Sequence, residues 1–192
     1  MTEMRSDEAT DSTSGLIFRG PLRLSLDPLP ELPDESMSAL INSQNETLLS
    51  AMRAFQERPE IEEGDHLANE IRRIDQKLSL VMELLGTLVQ FAQKTPEPRM
   101  VELDSCSLTL QLAEEELMQG AYFSIDVYLD PIFPKPLRLL AMLEATDRPT
   151  AAKFKFIGLS QGVQDGLDRY LFRQHRRQVA QLSIASPNHE TI

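Results

Sequence analysis

Residues 67 to 92 carry the pattern that most restricts the fold of this 192-residue chain. With Ile71 at position a of a heptad, the a and d positions are Leu67, Ile71, Ile74, Leu78, Val81, Leu85, Leu88 and Ala92. Apolar residues at a and d over four heptads are typical of a helix that buries one side against other helices. We therefore predict a long helix and take all of these residues except Ala92 as its assembly surface.

The apolar surface of this helix is wider than a two-stranded coiled coil requires. Met82 falls at an e position and Leu84 at a g position, where two-stranded coils usually carry charged residues. β-branched residues at d, such as Ile74 and Val81, favour three or four strands over two in parallel coils. An intramolecular hairpin with a neighbouring helix is the alternative. The pattern favours a multi-helix coiled coil, and we expect a homotetramer with parallel and antiparallel arrangements both open.

The rest of the sequence reads as one strand, two helices, several strands and a last helix. We predict a disordered tail at 1–15, a first strand at 16–30, a helical oligomerisation insertion at 34–95, a strand-rich domain with its C-terminal helix at 99–182, and a tail at 183–192. Prolines separate these parts because proline interrupts helices. This order predicts an α+β fold, an antiparallel barrel or sheet with a helical insertion, rather than a parallel doubly wound sheet.

Apolar alternation places the strands and the last helix more closely. Segments 100–112, 121–130, 137–146 and 153–159 alternate or run apolar over strand lengths, so each is predicted as a strand. In segment 160–182 the apolar residues recur at helical spacing, and they are Val163, Leu167, Tyr170 and Leu171. That stripe predicts a helix docked along one side onto the sheet or barrel.

The charge and the motif content exclude several classes of function. With 30 acidic and 19 basic residues, the net charge is -11, and this field disfavours nucleic acid and anionic membranes as partners. No stretch reaches the ~18 apolar residues of a spanning helix, and the single cysteine fits a reducing, cytoplasmic environment. Neither phosphate-binding glycine loops nor zinc motifs occur. We expect no membrane insertion, no metal, no cofactor and no enzymatic activity.

Two long segments carry a family resemblance. The chain resembles a PilZ domain over the run VELDSCSLTLQLAEEELMQGAYFSIDVYLDPIFPKPLRLLAMLEA and the following KFKFIGLSQGVQDGLDRYLFRQHRR. The resemblance implies a six-stranded antiparallel β-barrel with a C-terminal helix, and typical members of that family bind cyclic di-GMP. The long helices are similar to those of atypical tetrameric members, in which extra helices form a coiled coil. The implied fold class is thus an α+β PilZ-like barrel plus two long helices in an oligomeric coiled coil.

The binding motifs of the family are present here only in altered form. Arg19 and Arg23 show the R-x-x-x-R spacing that grips phosphates in family members. The D-x-S-x-x-G motif aligns with Glu102, Asp104 and Ser107, or, after a shift, with Asp104, Cys106 and Thr109. The glycine is missing in both alignments, and in the first a carboxylate replaces the hydroxyl and would repel a phosphate. The candidate ligand residues are Arg19, Arg23, Glu102, Asp104 and Ser107.

Two functions follow from these patterns. The favoured one is a noncatalytic bacterial signalling module that self-assembles through a coiled coil and acts on an unidentified signalling protein, with a degenerate cyclic di-GMP site. The alternative is a functional cyclic di-GMP receptor that uses Arg19 and Arg23.

Overall fold

A computed structural model of the protein describes residues 16–56, 66–92, 96–111, 120–131, 133, 135–144 and 150–185. The elements are β1 (Phe18–Leu29), α1 (Glu35–Gln56), α2 (His66–Ala92), β2 (Pro98–Leu103), β3 (Ser107–Gln111), β4 (Tyr122–Tyr128), β5 (Leu137–Glu144), β6 (Ala151–Phe156) and α3 (Gln161–Ala185). The tail predicted at 1–15 lies outside the described residues, as do residues 186–192 of the second predicted tail.

The six strands form a closed antiparallel barrel in the order β1-β2-β3-β6-β5-β4. The first strand closes the ring because its two halves pair with different neighbours: 18–23 pair with β2 and 23–29 pair with β4. Closure leaves no long unpaired sheet edge, which would otherwise invite pairing with another chain. The predicted α+β class and six-stranded barrel are confirmed.

The inside of the barrel is filled by the alternating apolar residues of each strand. Leu103, Leu108, Ile125 and Phe154 are fully buried, and the rings of Phe123 and Phe154 meet edge to face with centroids 5.2 Å apart. Because side chains alternate across a strand, the intervening residues face outward. The outer surface of the barrel therefore carries the candidate ligand residues.

The segment predicted as one strand at 100–112 is two strands, β2 and β3, joined by a tight turn. The Asp104 carboxylate accepts hydrogen bonds from the backbone N–H groups of Cys106 and Ser107, both at 2.6 Å, and from the Ser107 hydroxyl at 2.7 Å. Aspartate commonly stabilises turns in this way. Apolar alternation continues on both sides of the turn, so the periodicity alone did not reveal it.

The first helix packs on the barrel domain of its own chain. Asp34 caps it, since its carboxylate accepts a hydrogen bond from the Met37 N–H at 2.8 Å, and hydrogen bonds from the Met37 N–H and the Ser36 hydroxyl lower the pKa of Asp34. Further along, α1 lies against α3 and β5. The contact with α3 is close: a Cβ at Gly166 would lie 2.7 Å from Leu49 Cδ1. The role of this helix, which the sequence left open, includes covering the barrel.

One buried polar side chain fixes α1 to the barrel. β6 pairs with only the second half of β5, residues 141–144, so the backbone of Arg138 needs another partner. Asn45 supplies it: its amide donates to the Arg138 carbonyl at 2.6 Å and accepts from the Arg138 N–H at 3.1 Å. Asn45 is 3% exposed. A side-chain amide thus continues the sheet hydrogen bonding where β6 ends.

The last helix docks through the stripe that its sequence predicted. Val163, Leu167, Tyr170 and Leu171 are all buried, and the Ser160 hydroxyl accepts a hydrogen bond from the Val163 N–H at 3.2 Å at the start of the helix. This helix extends to Ala185, three residues beyond the predicted boundary.

The second helix differs from α1 and α3 because it makes no close backbone contact with another described helix or strand. One edge of it reaches its own chain: Met82 is half-buried against the core, and Gly86 is buried. Among the described residues, no helix is long and apolar enough to cross a membrane.

Replacing Asn45 with alanine tests the attachment of α1. The variant leaves both the N–H and the C=O of Arg138 without a protein partner, so we expect the free energy of unfolding to fall by about 2 kcal/mol. Urea denaturation at a fixed protein concentration measures it.

The matched control is Gln44→Ala, an exposed neighbour on the same helix, which should change stability by less than about 0.5 kcal/mol. Equal effects of the two substitutions would show that the Asn45 amide does not hold α1 in place.

Candidate ligand site and assembly surface

Arg19 lies on the outer face of β1, directly opposite Glu102 of β2. Its Nε is 3.0 Å from Glu102 Oε1, and both side chains are substantially exposed. Together they border a groove of about 370 Å³ on the β2–β3 surface. In solvent such an ion pair contributes at most about 1 kcal/mol. The Glu102 carboxylate nevertheless neutralises the positive charge of Arg19, which would otherwise be available to a phosphate.

Arg23 lies four residues further along the same face of β1, in a different environment. Its Nη1 donates a hydrogen bond to the Pro96 carbonyl at 3.0 Å, and its side chain lines a separate cavity at the α3 side of the barrel. Arg19 borders the groove on the β2–β3 surface, whereas Arg23 lines this other cavity. The two arginines are therefore not arranged as one clamp in this conformation.

Asp104 and Ser107 serve the β2–β3 turn. Each Asp104 carboxylate oxygen already accepts from the turn, and the hydroxyl of Ser107 donates to it. Ser107 stands where the first alignment expects a glycine, so a side chain occupies the place where a ligand could otherwise approach the backbone. The five candidate residues thus form two local pairs, Arg19 with Glu102 and Asp104 with Ser107, while Arg23 stands apart.

The cavity beside Arg23 was not predicted from the sequence. It has a volume of about 490 Å³ and lies between β1, the segment after β4, α3 and the C-terminal part of α2. Its polar lining includes Arg23, Tyr128, Gln174 and Arg177. No sequence pattern indicates this grouping because the residues come from distant parts of the chain.

The predicted assembly surface is exposed. Leu78 is 57% exposed, Leu85 48% and Leu88 63%, and the other described members are likewise exposed: Ile71, Ile74 and Val81. Leu67 belongs to α2, but its side chain lies outside the described residues. Leu80 and Leu84 add to the same exposed apolar area. Such a large contiguous apolar patch on a protein surface marks an interaction site.

Among the described residues, no cluster of three or more His, Cys, Asp or Glu side chains could hold a metal ion.

Comparison with known proteins identifies the family. The family described as "Atypical PilZ domain, cyclic di-GMP receptor" matches residues 49–183, most of the chain. The chain belongs to the atypical PilZ family. The match begins inside α1 and includes α2, strands β2 to β6 and most of α3, whereas β1, with Arg19 and Arg23, precedes it.

A solved PilZ structure shares the fold. It is the crystal structure of a pathogenic protein from Xanthomonas campestris, described as a new tetrameric PilZ domain self-assembled via an unusual helical bundle. The match has a TM-score of 0.65 and 23% sequence identity, and it covers 87% of this chain and 92% of that one. No curated protein matches the sequence.

Tyr170 of α3 lines the cavity beside Arg23 and contacts the segment after β4. Its hydroxyl donates a hydrogen bond to the Leu129 carbonyl at 2.9 Å, and the group is buried. Burial, with a smaller effect of the nearby Asp130 carboxylate, raises the pKa of Tyr170 to about 12. The phenol is therefore neutral at physiological pH and is already committed to holding the segment after β4.

Tyr170→Phe tests this contact and its pH dependence. Losing the hydrogen bond to a buried carbonyl should lower the free energy of unfolding by about 1–2 kcal/mol at pH 8. In the wild type, folding favours the protonated phenol, so its contribution is complete below pH 10 and declines as the pH rises towards about 12. The stability gap between wild type and variant should therefore narrow from pH 9 to pH 12 in urea titrations. A gap that stays constant would contradict the buried, neutral phenol.

Proposed function

We propose that this protein is a noncatalytic regulatory module of the PilZ type that self-assembles through α2 and acts by contacts with a signalling protein. The observation that carries the proposal is the exposed a and d surface of α2. A monomer would present these leucine, isoleucine and valine side chains to water. We propose that the protein is cytoplasmic and tetrameric when it makes these contacts.

The energetic argument favours assembly. Each of the six described a and d side chains is roughly half exposed, and burying the exposed half contributes roughly 1 kcal/mol per residue. Six such residues amount to about 6 kcal/mol per chain, and the helix is already formed, so the ordering cost is confined mainly to side chains and to rigid-body freedom. Assembly with several copies of the same helix hides the surface on more than one side.

The Xanthomonas protein supports the choice of a tetramer. That protein is described as tetrameric and as assembled through a helical bundle, and the match covers 87% of this chain, more than the barrel and its C-terminal helix alone could supply. The stripe of this chain also has the excess width that a bundle of more than two helices uses.

Two features of the motif region support a degenerate cyclic di-GMP site: its carboxylates would repel phosphates, and a side chain replaces the glycine of the motif. Glu102 holds Arg19 in an ion pair, and the Asp104 carboxylate lies at the adjacent turn. A ligand with two phosphates would meet these two carboxylates at the barrel surface, and it would find Ser107 where the motif has glycine. In a protein of net charge -11, the remaining arginines offer little long-range attraction.

The second candidate function is a working cyclic di-GMP receptor. The family description favours it, and the Arg23 guanidinium keeps donors beyond the one bonded to Pro96. In that case Arg19 must leave Glu102 when the ligand binds, a modest cost for an exposed pair.

Light scattering after size exclusion tests the assembly. We expect a mass of about four times the chain mass of 21.7 kDa for the wild type. Leu78→Asp places one carboxylate per chain in the proposed interface, which costs several kcal/mol per chain, so the variant should run as a smaller species.

The control substitution for that experiment is Gln76→Asp, which adds the same charge to the same helix at an outward f position and should leave the mass unchanged. A wild-type monomer at micromolar concentration, or identical masses for the two variants, would contradict the assembly through this face.

Calorimetric titration with cyclic di-GMP separates the two candidate functions. We expect no binding at micromolar concentrations for the wild type. Binding of the wild type that disappears in Arg19→Ala and Arg23→Ala would establish the receptor instead. Arg176→Ala, in which the lost guanidinium lies over the Phe172 ring on α3, is the control for a simple loss of positive charge.

A further inference from the structure

The cavity beside Arg23, which Arg19 does not line, has the chemistry of a small-molecule site. Its volume of about 490 Å³ lies within the range of about 300–1,000 Å³ that is usual for ligand pockets. Its walls come from β1, the start of β2, the end of β4 and the segment after it, α3 and α2. Such a junction between elements is a common place for a binding site.

The walls of this cavity are mainly apolar. Apolar side chains face it from β1, from the segment after β4 and from α2, among them Phe18, Leu22, Leu129, Phe133 and Val89. A polar dinucleotide would place base edges and ribose hydroxyls against these walls without hydrogen-bond partners, which is costly. An aromatic or aliphatic body would bury apolar surface there instead.

Most polar groups at the cavity are already engaged. The Tyr170 hydroxyl donates to the Leu129 carbonyl, and the Asp130 carboxylate accepts from the Gln56 amide at 3.2 Å. The arginines differ. Among the described residues, Arg177 makes no hydrogen bond or ion pair. Arg23 donates to one described partner, from Nη1 to the Pro96 carbonyl, and a guanidinium has further donors.

The cavity is lined by two guanidinium groups and one carboxylate, that of Asp130. Its net charge is therefore positive by one, which beside apolar walls favours an anionic ligand. A guanidinium pairs with carboxylate, sulfonate or phosphate groups through directed hydrogen bonds, and nearby apolar surface strengthens that attraction by excluding water. We propose that this cavity binds a small amphipathic monoanion, with its apolar body between β1, Leu129 and Val89 and its acidic group on Arg23 and Arg177. The ligand would thereby touch both the barrel and α2, the helix that carries the assembly surface.

Paired fluorescent probes test the site in the full-length protein. 8-Anilinonaphthalene-1-sulfonate has an apolar aromatic body and one anionic group, and N-phenyl-1-naphthylamine has the same body without the sulfonate. We expect one sulfonate probe per chain to bind. Arg177→Ala should weaken its binding about tenfold, the usual effect of losing a hydrogen bond to a charged group, and should change binding of the neutral probe less than about twofold.

Two further variants control for binding elsewhere. Pro21→Trp adds a large side chain to an exposed position that lines the cavity, so it should weaken both probes. Arg176→Ala removes a positive charge from the same helix outside the cavity and should affect neither. Light scattering of the same samples reports assembly separately, so a failure of the site and a failure of the tetramer are distinguishable.

Three results would overturn the proposal. They are no saturable binding of the sulfonate probe, unchanged binding in Arg177→Ala or Pro21→Trp, and displacement of the probe by equimolar cyclic di-GMP. The last result would assign the cavity to the dinucleotide.

Discussion

The apolar a and d face of α2 is the constraint on which this account depends. Within the described part of the chain, α1 buries Leu48 and Met52 and α3 buries Leu167. On α2, Leu78, Val81 and Leu85 remain in solvent. The barrel itself is closed and has a filled interior, so it has no need of this helix as a cover. The face is therefore available to other copies of the chain, as the proposed assembly requires.

The two helices of the insertion, α1 and α2, differ in how much of their surface packs on their own chain. Asn45 of α1 meets the backbone of Arg138 where β6 ends, and apolar residues on the same face, such as Met52, reach the core. On α2, only the edge that includes Met82 approaches its own chain. That edge accounts for part of the excess width noted in the sequence: an e position packs within the chain, while a and d remain exposed.

Much of the fold followed from periodicity, and the parts that did not follow depend on side chains that meet across the sequence. Alternation located the strands, and the stripe at Val163, Leu167 and Tyr170 correctly predicted the docking of α3. The turn at Asp104 interrupted one predicted strand because its carboxylate binds backbone without disturbing the apolar pattern. The environment of the ligand residues could not be predicted from their spacing. The R-x-x-x-R pattern does not indicate that Glu102 forms an ion pair with Arg19. It also does not indicate that Arg23 and Arg177 line one cavity.

The labelling rate of a thiol on α2 tests the central claim most directly. In a Cys106→Ser background, which removes the exposed native thiol, Leu85→Cys places a cysteine on the assembly face and Gln76→Cys places one on the outward face of the same helix. If the face is buried between copies, the thiol at position 85 should react with a maleimide at least about tenfold more slowly than the thiol at position 76, and dilution to a monomer should remove the difference. Equal rates at concentrations where the protein is fully associated would contradict assembly through α2.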